Sequence, residues 1–208
     1  MAIPTHQELA ARLKGINLYL VGMMGAGKSA VGRPLADALG YRFVDADTVL
    51  EAAAGCSIAE LFARDGESGF RQLETAVLGQ ISGWHSLVVA TGGGAVTQSE
   101  NWGHLHQGVV VWLDAPTPQL LARLAGDPTQ RPLLQAEDPA ARLQGLLAER
   151  LPLYAQADLH IRQAAEPPQQ VAELVLTALP GILRERPQAP QGPVLLDHGD
   201  GSLSTNLN

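Results

Sequence analysis

At 208 residues the chain fits one domain, and with 46% apolar residues it can bury a sizeable core, which excludes a disordered or collagen-like protein. A net charge of −7 with only 17% charged residues argues against bulk nucleic-acid or membrane-surface binding, so any anionic ligand needs locally clustered Lys and Arg. The single cysteine, Cys56, excludes an internal disulfide framework and a cysteine-based zinc site, and implies a reducing compartment.

Residues 1–15 show neither an apolar h-region nor an Arg- and Ser-rich transit pattern, and read as an extension ahead of a domain spanning 16–180. No window approaches 18 uninterrupted apolar residues, so a cytoplasmic chain is expected. The apolar run 16–21, closed by Gly22, predicts a buried strand. A helix is expected over 28–39, with Val31, Leu35 and Leu39 on one face and Gly40 as its stop. A short strand follows at 41–45. The text from 48 to 82 is helical but broken near Gly55 and Gly66, where Ser57 and Asp65 offer capping oxygens.

Residues 87–90 form another apolar run ending in Gly92-Gly93-Gly94, and 109–114 repeat the pattern with Asp114 at the end. A helix over 117–125 leads into a polar, proline-broken stretch at 126–139, placed like a lid. A helix over 140–151, a strand at 159–161 and a helix over 168–179 complete the domain. Residues 181–208, rich in Pro, Gly and polar side chains, read as a flexible tail. Strands alternating with helices specify an α/β fold with a mostly parallel sheet, whose ligands sit at the carboxyl ends of strands.

Gly22-Met23-Met24-Gly25-Ala26-Gly27-Lys28-Ser29 matches G-x-x-x-x-G-K-[ST] in full, between a predicted strand and a predicted helix. A chance match in a chain this long is roughly a 1% event. Its glycines let backbone N–H groups wrap a phosphate, Lys28 reaches the outer phosphates, and the Ser29 hydroxyl suits Mg²⁺. Asp45 and Asp47 follow the second strand, where alternation puts both carboxylates on one side; they are either solvated loop acids or a pair serving metal and acceptor hydroxyl.

Arg71 and Glu74 share a helix face, as a surface ion pair or as a guanidinium held for a substrate carboxylate; spacing alone favours the former. Arg131, in the lid-like stretch, is either a plain loop arginine or one that closes over a transferring phosphoryl group. Arg150 ends the helix that leaves the lid-like stretch, where a cation simply complements the helix dipole. Phe62 and Phe70 are core residues by default, or walls of an acceptor pocket. His104 and His106 lack further ligands nearby, which argues against a metal site.

Together these pieces, in this order, resemble shikimate kinase. The resemblance rests on the phosphate loop, Val44-Asp45-Ala46-Asp47, Ser57-Ile58-Ala59-Glu60-Leu61-Phe62, Gly66-Glu67 and Phe70-Arg71-Gln72-Leu73-Glu74. It continues through Gly92-Gly93-Gly94-Ala95-Val96, Arg131-Pro132-Leu133-Leu134 and Arg150-Leu151-Pro152-Leu153-Tyr154, and spans about residues 16–179. It implies a three-layer α/β/α P-loop kinase fold with a five-stranded parallel sheet, an acceptor-binding region and a lid at about 126–139. It implies transfer of a phosphoryl group from ATP, with Mg²⁺, to the 3-hydroxyl of shikimate on the way to chorismate and the aromatic amino acids.

By position, the resemblance makes Gly25, Ala26, Gly27, Lys28, Ser29, Ala30 and Arg131 nucleotide-binding, and Asp47, Arg71, Gly93 and Arg150 acceptor-binding. Asp47, Lys28 and Arg131 become catalytic, and Ser29 and Asp45 the metal-side residues. A monomer without nucleic-acid or membrane partners is expected. The chain departs from the family in Ala30, where a second hydroxyl residue is common, and in its lid, where Arg123 is the nearest candidate for the arginine that stacks near adenine. A gluconate or nucleoside monophosphate kinase lacks the Arg-Pro-Leu-Leu and triple-glycine pieces. A GTPase switch needs an N-K-x-D that is absent. A catalytically silent binding protein has no support, because every named functional residue is present.

Overall fold

The computed structural model describes residues 4–126 and 138–183. Five parallel strands form the central sheet: β1 (Leu18–Val21), β2 (Arg42–Asp45), β3 (Leu87–Ala90), β4 (Val109–Asp114) and β5 (Leu159–Arg162). Their order is β2-β3-β1-β4-β5, with every neighbouring pair parallel. The α/β fold with a mostly parallel sheet expected from the alternation of strands and helices, and the five-stranded sheet implied by the resemblance, are the observed architecture.

Strand alternation builds two cores. Leu18 and Leu20 of β1, Val88 of β3 and Val111 and Leu113 of β4 face one side. They pack against Leu9 and Leu13 of α1 (His6–Leu13), Val31, Leu35 and Leu39 of α2 (Lys28–Leu39), and Val171 and Val175 of α8 (Pro168–Ala178). The interleaved Tyr19, Val21, Val89, Val110 and Trp112 face the other side. There they meet Leu50 of α3 (Ala46–Ala54), Val77, Leu78 and Ile81 of α4 (Ile58–Ser82), Leu105 of α5 (Ser99–Leu105) and Tyr154 of α7 (Pro139–Tyr154). Helix α6 (Thr117–Ala125) adds Leu120 to the first core. Strands covered on both faces explain the continuous apolar runs of the sequence.

Several boundaries shift for identifiable reasons. The first strand starts at Leu18 rather than 16, because the Asn17 side chain takes over pairing with the β3 side: its Oδ1 accepts from Leu87 N at 3.0 Å and its Nδ2 donates to Trp84 O at 2.7 Å. The segment ahead of β1, read without an element, forms α1, closed by a Thr5–Glu8 capping box. Helix α5 also escaped the sequence reading, being seven residues long and mostly polar. Ser57 caps α4 as expected, its hydroxyl accepting from Glu60 N and its own N–H donating to the Glu60 carboxylate. Asp65, the other expected cap, instead pairs with Arg64. The break at Gly66 is a kink inside α4, with φ 68° and ψ −175°, a conformation in which a side chain is costly.

The register sets strand ends side by side. Leu20 and Asp45 both align with Ala90 of β3. The Gly22 loop, the residues after Asp45 and the Gly92 turn therefore emerge next to one another. Thr91 fastens the junction, donating from both its N–H and its hydroxyl to Leu20 O at 3.2 and 3.0 Å.

Candidate active site

The loop between β1 and α2 has three glycines at positive φ: Gly22 at 142°, Gly25 at 80° and Gly27 at 85°. At Gly22 conformation and space coincide, since a Cβ there would lie 2.5 Å from Leu113 O. Gly27 is the N-cap of α2 and offers no side-chain cap, so the first-turn N–H groups of α2 get no capping side chain from the loop. Lys28 arches back over its own loop, donating from Nζ to Gly22 O at 2.8 Å and Met23 O at 3.1 Å. Ser29 follows on the same turn, and Ala30 stands exposed beyond it.

Asp45 and Asp47 come together, but not by strand alternation. Asp45 is the N-cap of α3 and Asp47 belongs to its first turn; Asp45 Oδ1 accepts from Asp47 N at 3.1 Å. The other Asp45 oxygen accepts from Ser29 Oγ at 2.5 Å, which joins the acid to the phosphate loop. Asp47 sits in a crowded corner, where burial pushes its carboxyl up from 3.8 to about 6. The neighbouring Asp45 charge pushes the same way, Lys28 opposes it, and Glu74 and Glu51 add smaller repulsions.

Arg71 and Glu74 are not a surface pair. Both are buried, joined by an Nη1–Oε2 bond of 2.6 Å, with Glu67 adding a contact to Nη2 at 3.2 Å. Burial raises the Glu74 carboxyl, against the pull of Arg71 and then of Arg150. Arg71 Nε and Glu74 Oε1 are buried without a protein partner. The triple glycine makes this convergence possible by sterics alone. A Cβ on Gly94 would overlap the Arg71 guanidinium, and one on Gly92 would overlap Glu74 Oε1 and lie 3.1 Å from Asp47 Oδ1.

Arg150 lies within α7, which runs on to Tyr154, so it does not serve as a terminal cation for the dipole. It is buried and donates to Gly93 O at 3.1 Å, while Tyr154, fully buried, donates its hydroxyl to the same oxygen at 2.6 Å. Burial pushes the Tyr154 phenol up to about 12, so it stays a donor. The turn after β3 is further tied by Asn101 Nδ2 to Ala95 O at 2.8 Å and Trp102 Nε1 to Val96 O at 3.0 Å.

The structure thus brings Lys28, Ser29, Asp45, Asp47, Arg71, Gly93 and Arg150 to one end of the sheet. Arg131 and most of the expected lid lie outside the described residues. Arg123 donates from Nη1 to Gly25 O at 3.1 Å, against the back of the phosphate loop. Phe62 and Phe70 stack with centroids 4.6 Å apart, the second buried in the core. His104 faces Ser82 Oγ at 3.3 Å and His106 packs on Trp102. Among the described residues no three His, Cys, Asp or Glu side chains cluster to hold a metal, and no helix is long and apolar enough to cross a membrane.

The sequence does not single out Tyr154, Asn101 or Trp102 as supports of the site. Tyr154 closes the Arg150-to-Tyr154 motif, which is a signal; the other two carry none.

Comparison with known proteins agrees with this geometry. Residues 24–180 match the family model for shikimate kinase. The chain belongs to the shikimate kinase family. A shikimate kinase of Synechococcus sp. (strain RCC307) is 61% identical over 185 residues, covering 89% of this chain and 94% of that protein. One from Parasynechococcus marenigrum (strain WH8102) is 61% identical over 181 residues, covering 87% and 95%. Among solved structures, shikimate kinase from Acinetobacter baumannii in complex with shikimate superposes with a TM-score of 0.79 at 41% identity, over 83% of this chain and 97% of that one. A gluconokinase from Sinorhizobium meliloti, at 17% identity and a TM-score of 0.54, shares the fold alone.

Proposed function

We propose that this shikimate kinase family member transfers the γ-phosphoryl group of ATP directly to the 3-hydroxyl of shikimate, giving shikimate 3-phosphate and ADP. The observation that carries the reading is the convergence of one carboxylate, Asp47, with two buried guanidinium groups, Arg71 and Arg150, around the Gly92–Gly94 turn beside the phosphate loop. A small polyol with one carboxylate needs a cationic clamp at one end and a hydrogen-bond acceptor at the hydroxyl that reacts. Arg71 and Arg150 supply the first and Asp47 the second.

In this reading Asp47 accepts a hydrogen bond from the attacking hydroxyl, orients it in line and takes its proton as the new O–P bond forms. The backbone of Gly93 contacts the ring. Residues Gly25 to Ala30 bind the nucleotide phosphates, and Lys28 and Arg131 stabilise the transferring group. Two hard oxygens within hydrogen-bond reach at the phosphate loop, Ser29 Oγ and Asp45 Oδ2, are the donor type that Mg²⁺ takes. These two residues would hold the ion, Asp45 through water. When bound, Mg²⁺ neutralises phosphate charge. The expected setting is a cytoplasmic monomer.

The test is an ADP-release assay with Mg-ATP on shikimate, quinate, gluconate and a panel of nucleoside monophosphates. Turnover confined to shikimate is expected. Turnover on another acceptor, or none on shikimate, overturns the assignment.

A further inference from the structure

Gln163 is buried at the end of β5, a position with no assigned role. Its side chain points across the sheet end to the phosphate loop. Nε2 donates to Ala26 O at 2.9 Å, while Oε1 faces Arg123 Nη1 and Nη2 at 3.4 and 3.5 Å. Since the Ala26 carbonyl only accepts and the guanidinium only donates, the amide has one orientation that suits both neighbours. Its backbone N–H is also fixed, donating to Asp114 O at 2.8 Å. The residue is held at three points, and two of them bear on the loop.

The consequence follows from peptide planarity. In a trans peptide the C=O and the next N–H point in opposite directions. A bond that holds Ala26 O against Gln163 therefore directs the N–H of Gly27 to the other side of the loop. Arg123 treats the preceding unit the same way: it holds Gly25 O, and the Ala26 N–H on the opposite side donates to Met23 O at 3.0 Å. Both loop carbonyls are thus anchored from behind. The glycines permit this loop shape without selecting it, because Gly25 and Gly27 also have other conformations open to them.

We propose that Gln163 is a positioning residue for nucleotide binding: its amide fixes the Ala26–Gly27 peptide, and directly supports Arg123, so that the Gly27 N–H is preset for a phosphate oxygen. The inference rests on the phosphate-loop reading above and deepens it. Anchoring from β5 makes the loop's donors preorganised rather than gathered on binding.

Gln163→Met keeps the length and approximate volume while removing both polar ends. Gln163→Asn keeps the amide but withdraws it by one methylene. Each variant is compared with the full-length wild type for Mg-ADP affinity by calorimetry, for KM of ATP and shikimate separately, and for thermal midpoint. Both variants should weaken ADP binding and raise the ATP KM roughly five- to tenfold, the scale of one or two net hydrogen bonds, with the shikimate KM changed less than about twofold. A merely structural Gln163 lowers the thermal midpoint and leaves the ratio of the two KM values alone, which overturns the proposal. Equal ADP affinity in wild type and both variants also overturns it while leaving the kinase assignment intact. A wild type that turns over shikimate on no nucleotide defeats both.

Discussion

As the proposed base, Asp47 links catalysis to stability in a way that one substitution separates. Its carboxyl rises from 3.8 to about 6 because burial and the Asp45 charge outweigh the attraction of Lys28. That rise corresponds to about 3 kcal/mol against the ionised native state, and its residual exposure reduces the realistic figure to about 1–2 kcal/mol. The sign follows from proton binding. Between about pH 4 and 6 the native state keeps a proton that the unfolded chain has already lost, so stability falls as pH rises through that window, and the full penalty applies above it.

Asp47→Asn keeps the shape and removes the charge. At pH 7.5 it should melt about 2–8 °C above wild type, with the difference shrinking toward zero near pH 4. The same variant should lose at least about a hundredfold in kcat/KM for shikimate. Wild-type kcat/KM should itself decline below an apparent pKa near 6 as the base protonates. Thermal melts of both proteins from pH 4.5 to 8, paired with the coupled assay, read all of this. A variant melting at or below wild type at pH 7.5, or an offset independent of pH, refutes the electrostatic account of Asp47.

Lys28→Ala should cost at least 10²-fold in kcat, on the scale of one preorganised phosphoryl contact, and an unaffected rate in the steady-state assay would sink its role. Gly94→Ala introduces a methyl where the Arg71 guanidinium lies, at an ordinary backbone conformation, so the KM for shikimate should rise tenfold or more while ADP affinity holds. Arg71→Ala should abolish phosphorylation while the circular dichroism spectrum stays native-like; near-normal turnover would remove Arg71 from the acceptor site. Tyr154→Phe takes away one of two donors to Gly93 O and should lower stability by about 1 kcal/mol in urea unfolding, with the shikimate KM raised more than that of ATP.

The parts of the site carried by a contiguous pattern were legible in the sequence. The phosphate loop is local, since its glycines, Lys28 and Ser29 act within one strand-to-helix turn. Asp45 and Asp47 lie together beside the phosphate loop, but the helix cap, not the strand pleat, turns them together. Arg71 and Arg150 looked ambiguous because nothing in their own segments tells of burial. Only the closure of α4 and α7 over the Gly92–Gly94 turn makes them interior. Gln163 was silent for the same reason: a glutamine after a strand is ordinary until the sheet order places β5 beside β4 and its end near Ala26. The Thr5–Glu8 spacing is itself a capping signal for α1 that the sequence carries.

The charge arrangement supports the proposed reading of how a chain at −7 holds an anionic acceptor. Arg71 and Arg150 are both buried, and Glu74 feels the charge of each. Glu74 is paired with Arg71, and in the proposed reading Arg150 is left to meet the carboxylate of shikimate. Glu67 also contacts Arg71, but from an exposed position where water screens it. Removing both arginines from water without any carboxylate would be costly, and balancing them fully would leave nothing to bind the acceptor. Glu74 sits between those limits: it holds Arg71 by one oxygen, while its other oxygen lies with that of Asp47 against the Gly92 backbone. An alanine at Gly92 or Gly94 would therefore displace Glu74 or Arg71 as well as crowd the packing, which is a physical reason for glycine at both positions after β3.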